Sequence, residues 1–186
     1  MSEWLKLWKS KEYQELKTNN FNKIDKFLKS PKNILDIGCG YAFESEMFQK
    51  KYQTELYLLD SSIDNTKDVL RQTNYGSVDN FSFYHTVNQL TESFDQRKMT
   101  YTFIDSNNTS ALDPNLTFNV IYSFLSCGFH YPANTYKDFI LKHSNNNTVI
   151  ILDLRKKTID EQSNDIEIID TVYESKKHIT AQIKFR

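Results

Sequence analysis

The chain has 186 residues, of which 39% are hydrophobic and 14% aromatic, and its formal net charge is −1. A chain of this length and composition forms one folded domain that buries roughly 70% of its unfolded surface, which excludes a disordered protein. The near-zero charge offers no basic surface, so we expect neither nucleic acid nor an anionic membrane as a partner.

Cysteine content and hydropathy predict the cellular compartment of the protein. Cys39 and Cys127 are too few for a disulfide framework, and we expect both to stay reduced. No apolar run approaches about 18 residues, and the N-terminus lacks a signal-peptide core. These features predict a cytoplasmic protein without a membrane segment, and they leave open whether it is a monomer or a homodimer.

The N-terminal region, residues 2–29, alternates apolar and charged residues at helical spacing. This pattern predicts two helices that divide near Thr18-Asn19-Asn20. Trp4 and Trp8 have two interpretations: they pack against the body of the domain, or they belong to a lid over a functional site.

Strands and helices alternate through the middle of the chain, which is typical of a doubly wound α/β domain. The last twenty residues change to two strands around a charged turn, 174–177, which predicts a hairpin. The predicted strands are 33–38, 55–60, 101–105, 118–125, 148–154, 166–173 and 179–185, and the predicted helical segments are 43–51, 62–73, 77–97 and 136–141.

A glycine turn follows the first strand: Asp36 is followed by Gly38 and Gly40, and a helical pattern starts at Phe43. Such a strand–turn–helix brings backbone N–H groups close to a ligand. The turn resembles the first motif of class I S-adenosylmethionine-dependent methyltransferases, acidic-x-Gly-x-Gly-x-Gly, with Ala42 at the third glycine. A dinucleotide fingerprint would need a small residue where Phe43 stands. A turn without a ligand is the remaining alternative.

This resemblance implies a Rossmann-like class I methyltransferase sandwich that binds S-adenosylmethionine. Its sheet would be seven-stranded and mostly parallel, with a C-terminal antiparallel hairpin and helices on both faces. The whole chain, 1–186, would be a single domain. Within it, 1–31 would be N-terminal helices that cap the site, and 32–186 would be the catalytic core.

Candidate cofactor ligands lie at predicted strand ends, where open parallel sheets bind ligands. The carboxylate of Asp60 can accept hydrogen bonds from both ribose hydroxyls. By resemblance, Asp105 would accept the adenine amino group and Asp36 would help to hold the methionine end. Each aspartate alone could instead be a turn residue. The full predicted set is Asp36, Gly38, Cys39, Gly40, Asp60, Ser61, Asp105, Ser106 and Ser123.

The loop after the fourth strand contains His130, our candidate general base. Methyl transfer to a hydroxyl needs alignment and removal of a proton, and the pKa of histidine suits that work. The alternative is a loop histidine bonded to backbone. The other histidines, His85, His143 and His178, are predicted to be surface or packing residues.

Residues 123–136 are similar to bacterial and viral proteins assigned, mostly by inference, as sugar O-methyltransferases. Those proteins carry Ser-x-x-Ser-Trp/Cys-Gly-Phe-His-Tyr-Pro before a helix with a tyrosine, and the resemblance covers roughly 33–155. It implies methyl transfer to a hydroxyl of a sugar or similar metabolite. An N-methyltransferase and a non-catalytic S-adenosylmethionine-binding regulatory module remain alternatives.

Missing motifs count against several more specific functions. No Asn/Asp-Pro-Pro-Tyr/Phe follows the fourth strand, which counts against an amino-group DNA methyltransferase. Cys127 lacks the preceding proline of cytosine-C5 enzymes, and Ser123 stands where RNA ribose methyltransferases need an aspartate. No His, Cys or Asp grouping has metal-ligand spacing, so no metal is predicted.

Overall fold

The structure is a computed structural model that describes residues 3–61 and 85–186. The predicted helix 62–73 and the first part of the predicted helical segment 77–97 lie outside the described residues.

The described part of the chain forms a seven-stranded sheet in the order β3-β2-β1-β4-β5-β7-β6. Strands β1 to β5 are mutually parallel, whereas β7 runs antiparallel to both β5 and β6. The predicted fold class is confirmed. The strands are β1 (Asn33–Ile37), β2 (Glu55–Asp60), β3 (Tyr101–Asp105), β4 (Val120–Ser123), β5 (Val149–Arg155), β6 (Ile166–Glu174) and β7 (His178–Phe185).

Two helix boundaries differ from the prediction among the described residues. Within the described part of the predicted segment 77–97, the helix begins at Val87, because Thr86 caps it. The N-terminal region divides at Ser10, not near residues 18–20, because the Ser10 side chain accepts a hydrogen bond from the Tyr13 N–H at 3.3 Å and caps the second helix. Asn19 and Asn20 continue that helix. The described helices are α1 (Glu3–Lys9), α2 (Lys11–Asp25), α3 (Phe43–Tyr52), α4 (Val87–Gln96), α5 (Lys137–Lys142) and α6 (Ile159–Gln162).

Strand β4 is shorter than predicted, because the chain leaves the sheet after Ser123 and turns at Leu125, whose φ is +51°. The predicted helix 136–141 is α5, preceded by the 3₁₀ turn Ala133–Tyr136. The connection between β5 and β6 contains secondary structure. It holds the 3₁₀ turn Lys156–Thr158 and then α6.

The sheet separates two hydrophobic cores. Successive strand residues face opposite sides of a sheet, so Ile34 belongs to one core and Leu35 to the other. Helices α1 to α4 pack on the Ile34 side, and α5 and α6 pack on the Leu35 side. Both faces are therefore covered, as a parallel sheet requires.

The N-terminal helices lie against the start of α3. The ring of Trp8 stacks on Phe43 at 4.4 Å between centroids, with 11° between the planes. From α2, Lys17 and Asn20 each donate to Oε1 of Glu44 at 3.0 Å. Because Phe43 and Glu44 come directly after the glycine turn, α1 and α2 brace the helix that the turn begins.

Trp8→Ala should destabilise the fold by about 1–3 kcal/mol, because it removes a half-buried aromatic ring from its stack on Phe43. Urea unfolding measures the change in the free energy of unfolding. Leu16→Ala, at a side chain 39% exposed on α2, is the control and should cost less than about 0.5 kcal/mol. Equal losses in the two variants would contradict the packing role of Trp8.

Candidate cofactor and active site

The glycine turn after β1 has left-handed backbone at three positions: φ is +71° at Gly38, +49° at Gly40 and +51° at Ala42. A Cβ at Gly38 would lie 1.9 Å from Oγ of Ser126. Only glycine therefore lets the loop after β4 approach the turn so closely. At Gly40, by contrast, no atom of the described residues lies within 4 Å of an added Cβ.

Arg97, at the C-terminal end of α4, holds the turn from its other side. Its guanidinium donates to the backbone oxygen of Tyr41 and to Oε2 of Glu46 at 2.7 Å, and it lies 4.5 Å from the centre of the Phe43 ring. The Arg97 side chain is only 7% exposed. Because breaking one partner of a buried pair is costly, Arg97 fixes the turn to α3.

Asp60 and Asp105 lie side by side at the carboxyl ends of β2 and β3, where they are register partners. Asp60 accepts hydrogen bonds from the N–H of Gly40 at 2.9 Å and of Ser61 at 2.8 Å. Asp105 accepts from the N–H and the side-chain amide of Asn107, at 2.9 and 3.0 Å. Backbone N–H groups thus orient both carboxylates next to the glycine turn.

The serines predicted beside these carboxylates lie in the same place. The N–H of Ser106 donates to the backbone oxygen of Asp60 at 2.9 Å, and Oγ of Ser61 is 3.5 Å from Nδ2 of Asn107. The ends of β1, β2 and β3 therefore bring together Gly38, Cys39, Gly40, Asp60, Ser61, Asp105 and Ser106.

Asp36 lies beneath the turn and is 4% exposed. Its Oδ2 accepts from Oγ of Ser45 at 2.8 Å and from the hydroxyl of Tyr122 at 2.9 Å. Burial raises the pKa of Asp36 to about 7, and the nearby charge of Glu44 contributes. Neither Ser45 nor Tyr122 was predicted from the sequence.

Ser123, another predicted cofactor ligand, is fully buried. Its Oγ donates to the backbone oxygen of Ile37 at 2.7 Å and accepts from the N–H of Cys127 at 2.9 Å. These two bonds join the end of β1 to the loop after β4.

Both cysteines are free and buried. Sγ of Cys39 is 3.9 Å from Oδ2 of Asp60. Burial raises the pKa of the Cys39 thiol. Burial also raises the pKa of Cys127 to about 12. Both thiols are therefore protonated near neutral pH, and neither is an activated nucleophile.

The loop after β4 brings Tyr131 to the glycine turn. The Tyr131 hydroxyl is 2.5 Å from Oγ of Ser126 and 3.5 Å from the position of a Cβ at Gly38. Burial raises the pKa of Tyr131, with a smaller contribution from the charge of Asp60. Sequence reasoning missed Tyr131, although it stands next to His130 in the same motif.

His130 is half-buried in this loop. Its backbone N–H donates to the oxygen of Ser126 at 2.7 Å, and its ring meets the Phe129 ring edge-on at 5.2 Å. The loop that carries His130 thus also carries the side chain that reaches Gly38.

Asp153 anchors the loop to the sheet. It accepts from the N–H of Leu125 at 3.0 Å and from Oγ1 of Thr180 at 2.5 Å. Burial raises the pKa of Asp153, and His178, whose Nε2 is 3.7 Å away, opposes that shift. Gly128 has φ +89°, and a Cβ there would lie 2.8 Å from the Asp153 carbonyl oxygen.

The remaining histidines have packing contacts. The ring of His85 lies 4.0 Å from that of Tyr41, and burial lowers the pKa of His85 to about 4, so this side chain is neutral. His143 is 1% exposed, with Nδ1 2.8 Å from the oxygen of Leu116.

Within residues 3–61 and 85–186, no group of three His, Cys, Asp or Glu side chains could hold a metal ion. None of the helices in these ranges has the length and apolar character needed to cross a membrane.

No protein-family model matches the chain, and no curated protein matches it. Its likeness to solved structures is a likeness of fold. It aligns with a methyltransferase from Pyrococcus furiosus at a TM-score of 0.59 and 12% identity, covering 91% of this chain and 82% of that one. The alignment with ribosomal protein L11 methylase from Lactobacillus delbrueckii subsp. bulgaricus has the same TM-score and identity, and covers 88% and 75%. This chain has a methyltransferase fold.

A third structure extends the likeness over nearly all of both chains. A protein from Pyrococcus horikoshii aligns at a TM-score of 0.62 and 11% identity, covering 96% of this chain and 93% of that one. At such identities the comparisons establish the architecture alone.

Asp36→Asn should flatten the pH dependence of stability. The pKa of Asp36 rises from its ordinary 3.8 to about 7, so the folded state binds this proton more tightly than the unfolded state. The resulting stability is fully present below about pH 4 and is lost as the pH rises through about 7. From about pH 5.5 to about pH 8, the native chain should lose about 2 kcal/mol more than the variant in urea unfolding.

Asp170→Asn, at an exposed position on β6, is the control and should keep the native pH dependence. If all three proteins lost stability equally over this range, the protonation of Asp36 in the fold would be disproved.

Proposed function

We propose that this chain is an S-adenosylmethionine-dependent methyltransferase that acts on a hydroxyl of a small molecule, a sugar or a similar metabolite. The observation that carries the proposal is the glycine turn with the two carboxylates beside it. Among the described residues no atom packs within 4 Å of an added Cβ at Gly40, and Asp60 and Asp105 stand at the next two strand ends. The sheet beneath them has the methyltransferase architecture.

The turn favours the cofactor over a dinucleotide, because Phe43 stands where a dinucleotide fingerprint needs a small residue. Asp60 fits both ligands, since a carboxylate at this strand end also holds the ribose of a dinucleotide. Carboxylates also accept hydrogen bonds from ribose hydroxyls. The residues present therefore fit S-adenosylmethionine.

The individual roles follow from position. Asp60, already oriented by Gly40 and Ser61, would hold the ribose hydroxyls. Asp105, with Ser106, would hold the adenine. The turn Gly38–Gly40, which includes Cys39, would hold the methionine portion, with Asp36 supporting it from below. Ser123 would act by fixing the end of β1 through its bond to Ile37.

The bound cofactor supplies a methyl group already activated on a sulfonium. The chain then has to align the acceptor and take its proton. His130 is the proposed base, supported by the placement of its loop: Tyr131, the next residue, reaches Gly38. The bonds from Asp153 and Ser123 hold that loop in position before the acceptor arrives.

Asp60→Ala should weaken binding of S-adenosylhomocysteine by at least about tenfold, because the variant loses the hydrogen bonds to the ribose. Isothermal titration calorimetry measures the dissociation constant. Asp170→Ala, an exposed change on β6, is the matched control and should bind like the native chain. Native affinity in the Asp60→Ala variant would show that Asp60 does not contact the cofactor.

His130→Ala should lower turnover by about 10²–10⁴-fold and leave the affinity for S-adenosylhomocysteine nearly unchanged, because a general base acts on the acceptor proton. The native rate should rise with pH through a histidine-like pKa, and this rise should be absent in the variant. His130→Asn, which keeps a polar side chain, should be equally slow. Native activity in either variant would make His130 a loop-bracing residue.

A further inference from the structure

Three oxygen atoms, from Asp36, Ser45 and Tyr122, meet beneath the glycine turn. Oγ of Ser45 lies 2.8 Å from Oδ2 of Asp36, and the Tyr122 hydroxyl lies 2.9 Å from the same Oδ2. The two hydroxyl oxygens are 2.6 Å apart. All three separations are hydrogen-bond distances between oxygens. Each atom of this oxygen triangle therefore contacts both of the others.

The oxygen triangle needs one hydrogen for each of its three contacts. Each hydroxyl carries a single hydrogen, and an ionised carboxylate carries none. With Asp36 ionised, both hydroxyl hydrogens point to its Oδ2, and the 2.6 Å contact between Ser45 and Tyr122 has no hydrogen. A hydrogen on Oδ2 completes the triangle, because each oxygen can then donate once and accept once. The geometry thus favours a protonated Asp36 in the free chain.

The titratable groups around Asp36 do not neutralise a carboxylate there. Burial raises the pKa of Asp36 to about 7, and the charge of Glu44 on α3 adds to this shift. Lys17 on α2 opposes it, but its Nζ pairs with Glu44 at 3.0 Å, and no cation of the described residues lies within 4 Å of Asp36. Cys39 and Tyr122 are themselves uncharged, because burial raises the pKa of each. An ionised Asp36 would thus have no direct counter-ion in the described part of the chain.

The oxygen triangle joins the two ends of the glycine turn. Asp36 lies on β1, two residues before Gly38, and Ser45 lies in the first turn of α3, which begins at Phe43. A positive group held by the turn would therefore come close to the Asp36 carboxyl. Such a charge favours the ionised form and lowers the pKa of a carboxyl group. A cationic ligand and a proton thus compete for Asp36.

We propose that Asp36 is a proton-exchanging counter-ion for the cofactor. Its carboxyl group is neutral in the free chain and releases its proton to solvent when the ammonium and sulfonium groups of S-adenosylmethionine occupy the turn. This proposal rests on the proposed methyltransferase function. The carboxylate that remains then faces the positive charges that displaced the proton. Asp36 thereby selects the charged methionine end over a bare nucleoside such as 5′-methylthioadenosine, which carries neither an ammonium nor a sulfonium group.

Isothermal titration calorimetry of the intact chain at pH 6.5, in buffers of different ionisation enthalpy, counts the protons released on binding. Because the pKa of Asp36 is about 7, S-adenosylmethionine should release about 0.5–0.8 proton per chain. 5′-Methylthioadenosine should release almost none. From pH 6 to pH 8, the affinity for S-adenosylmethionine should rise by about five- to tenfold relative to that for 5′-methylthioadenosine, because the proton ceases to compete.

Asp36→Asn should bind S-adenosylmethionine without releasing a proton. His130→Ala tests the other nearby proton source and should release as many protons as the native chain, as should Asp170→Asn, the same change at an exposed position on β6. Release that survives in Asp36→Asn or disappears in His130→Ala would overturn the proposal. So would equal release with both ligands on the native chain, a result that does not depend on the folding of any variant. Failure of the native chain to bind S-adenosylmethionine refutes the methyltransferase function, whereas binding without proton release refutes only the role of Asp36.

Discussion

The close approach of Gly38 to Ser126 is the contact on which the site depends. A Cβ at position 38 would overlap the Ser126 side chain, so the loop after β4 can meet the turn after β1 only because that residue is glycine. The contact places Tyr131 at the turn, and His130 precedes Tyr131 in the same loop. Gln162 holds the same loop through its bonds to the N–H of Ala133 and the oxygen of Gly128. One steric constraint thus sets how closely the loop that carries the proposed base approaches the turn of the proposed cofactor site.

Buried charges hold the other side of the turn. Asp36, Glu44 and Glu46 all lie near it with little exposure, and Lys17 and Arg97 supply the opposite charges. Lys17 comes from α2, so the N-terminal helices contribute to the electrostatics of the turn as well as to packing. Since buried carboxylates are costly unless they are paired or protonated, the raised pKa of Asp36 is the expected response.

Much of the fold could be predicted from sequence because its signals are local. Apolar runs that end in Asp60 or Asp105 define strand ends, and two glycines one residue apart define a turn. The division of the N-terminal helices was placed wrongly because Asn19 and Asn20 suggested a break, whereas the cap at Ser10 decides it. Arg97 and Tyr122 were missed because their partners Glu46 and Asp36 are distant in sequence. Tyr131 was missed because only the fold brings its hydroxyl to Gly38. Tyr122, for example, meets Asp36 across 86 positions of sequence.

The central claim is that the glycine turn after β1 binds the cofactor, and the glycine amides test it most directly. The chain has four glycines, so a sample labelled with ¹⁵N-glycine gives a spectrum simple enough to assign by substitution. Titration with S-adenosylhomocysteine should shift the signals of Gly38 and Gly40 saturably, and that of Gly128 less, because it lies against β5. Signals of Gly38 and Gly40 that stay in place in a folded chain saturated with the ligand would contradict the account.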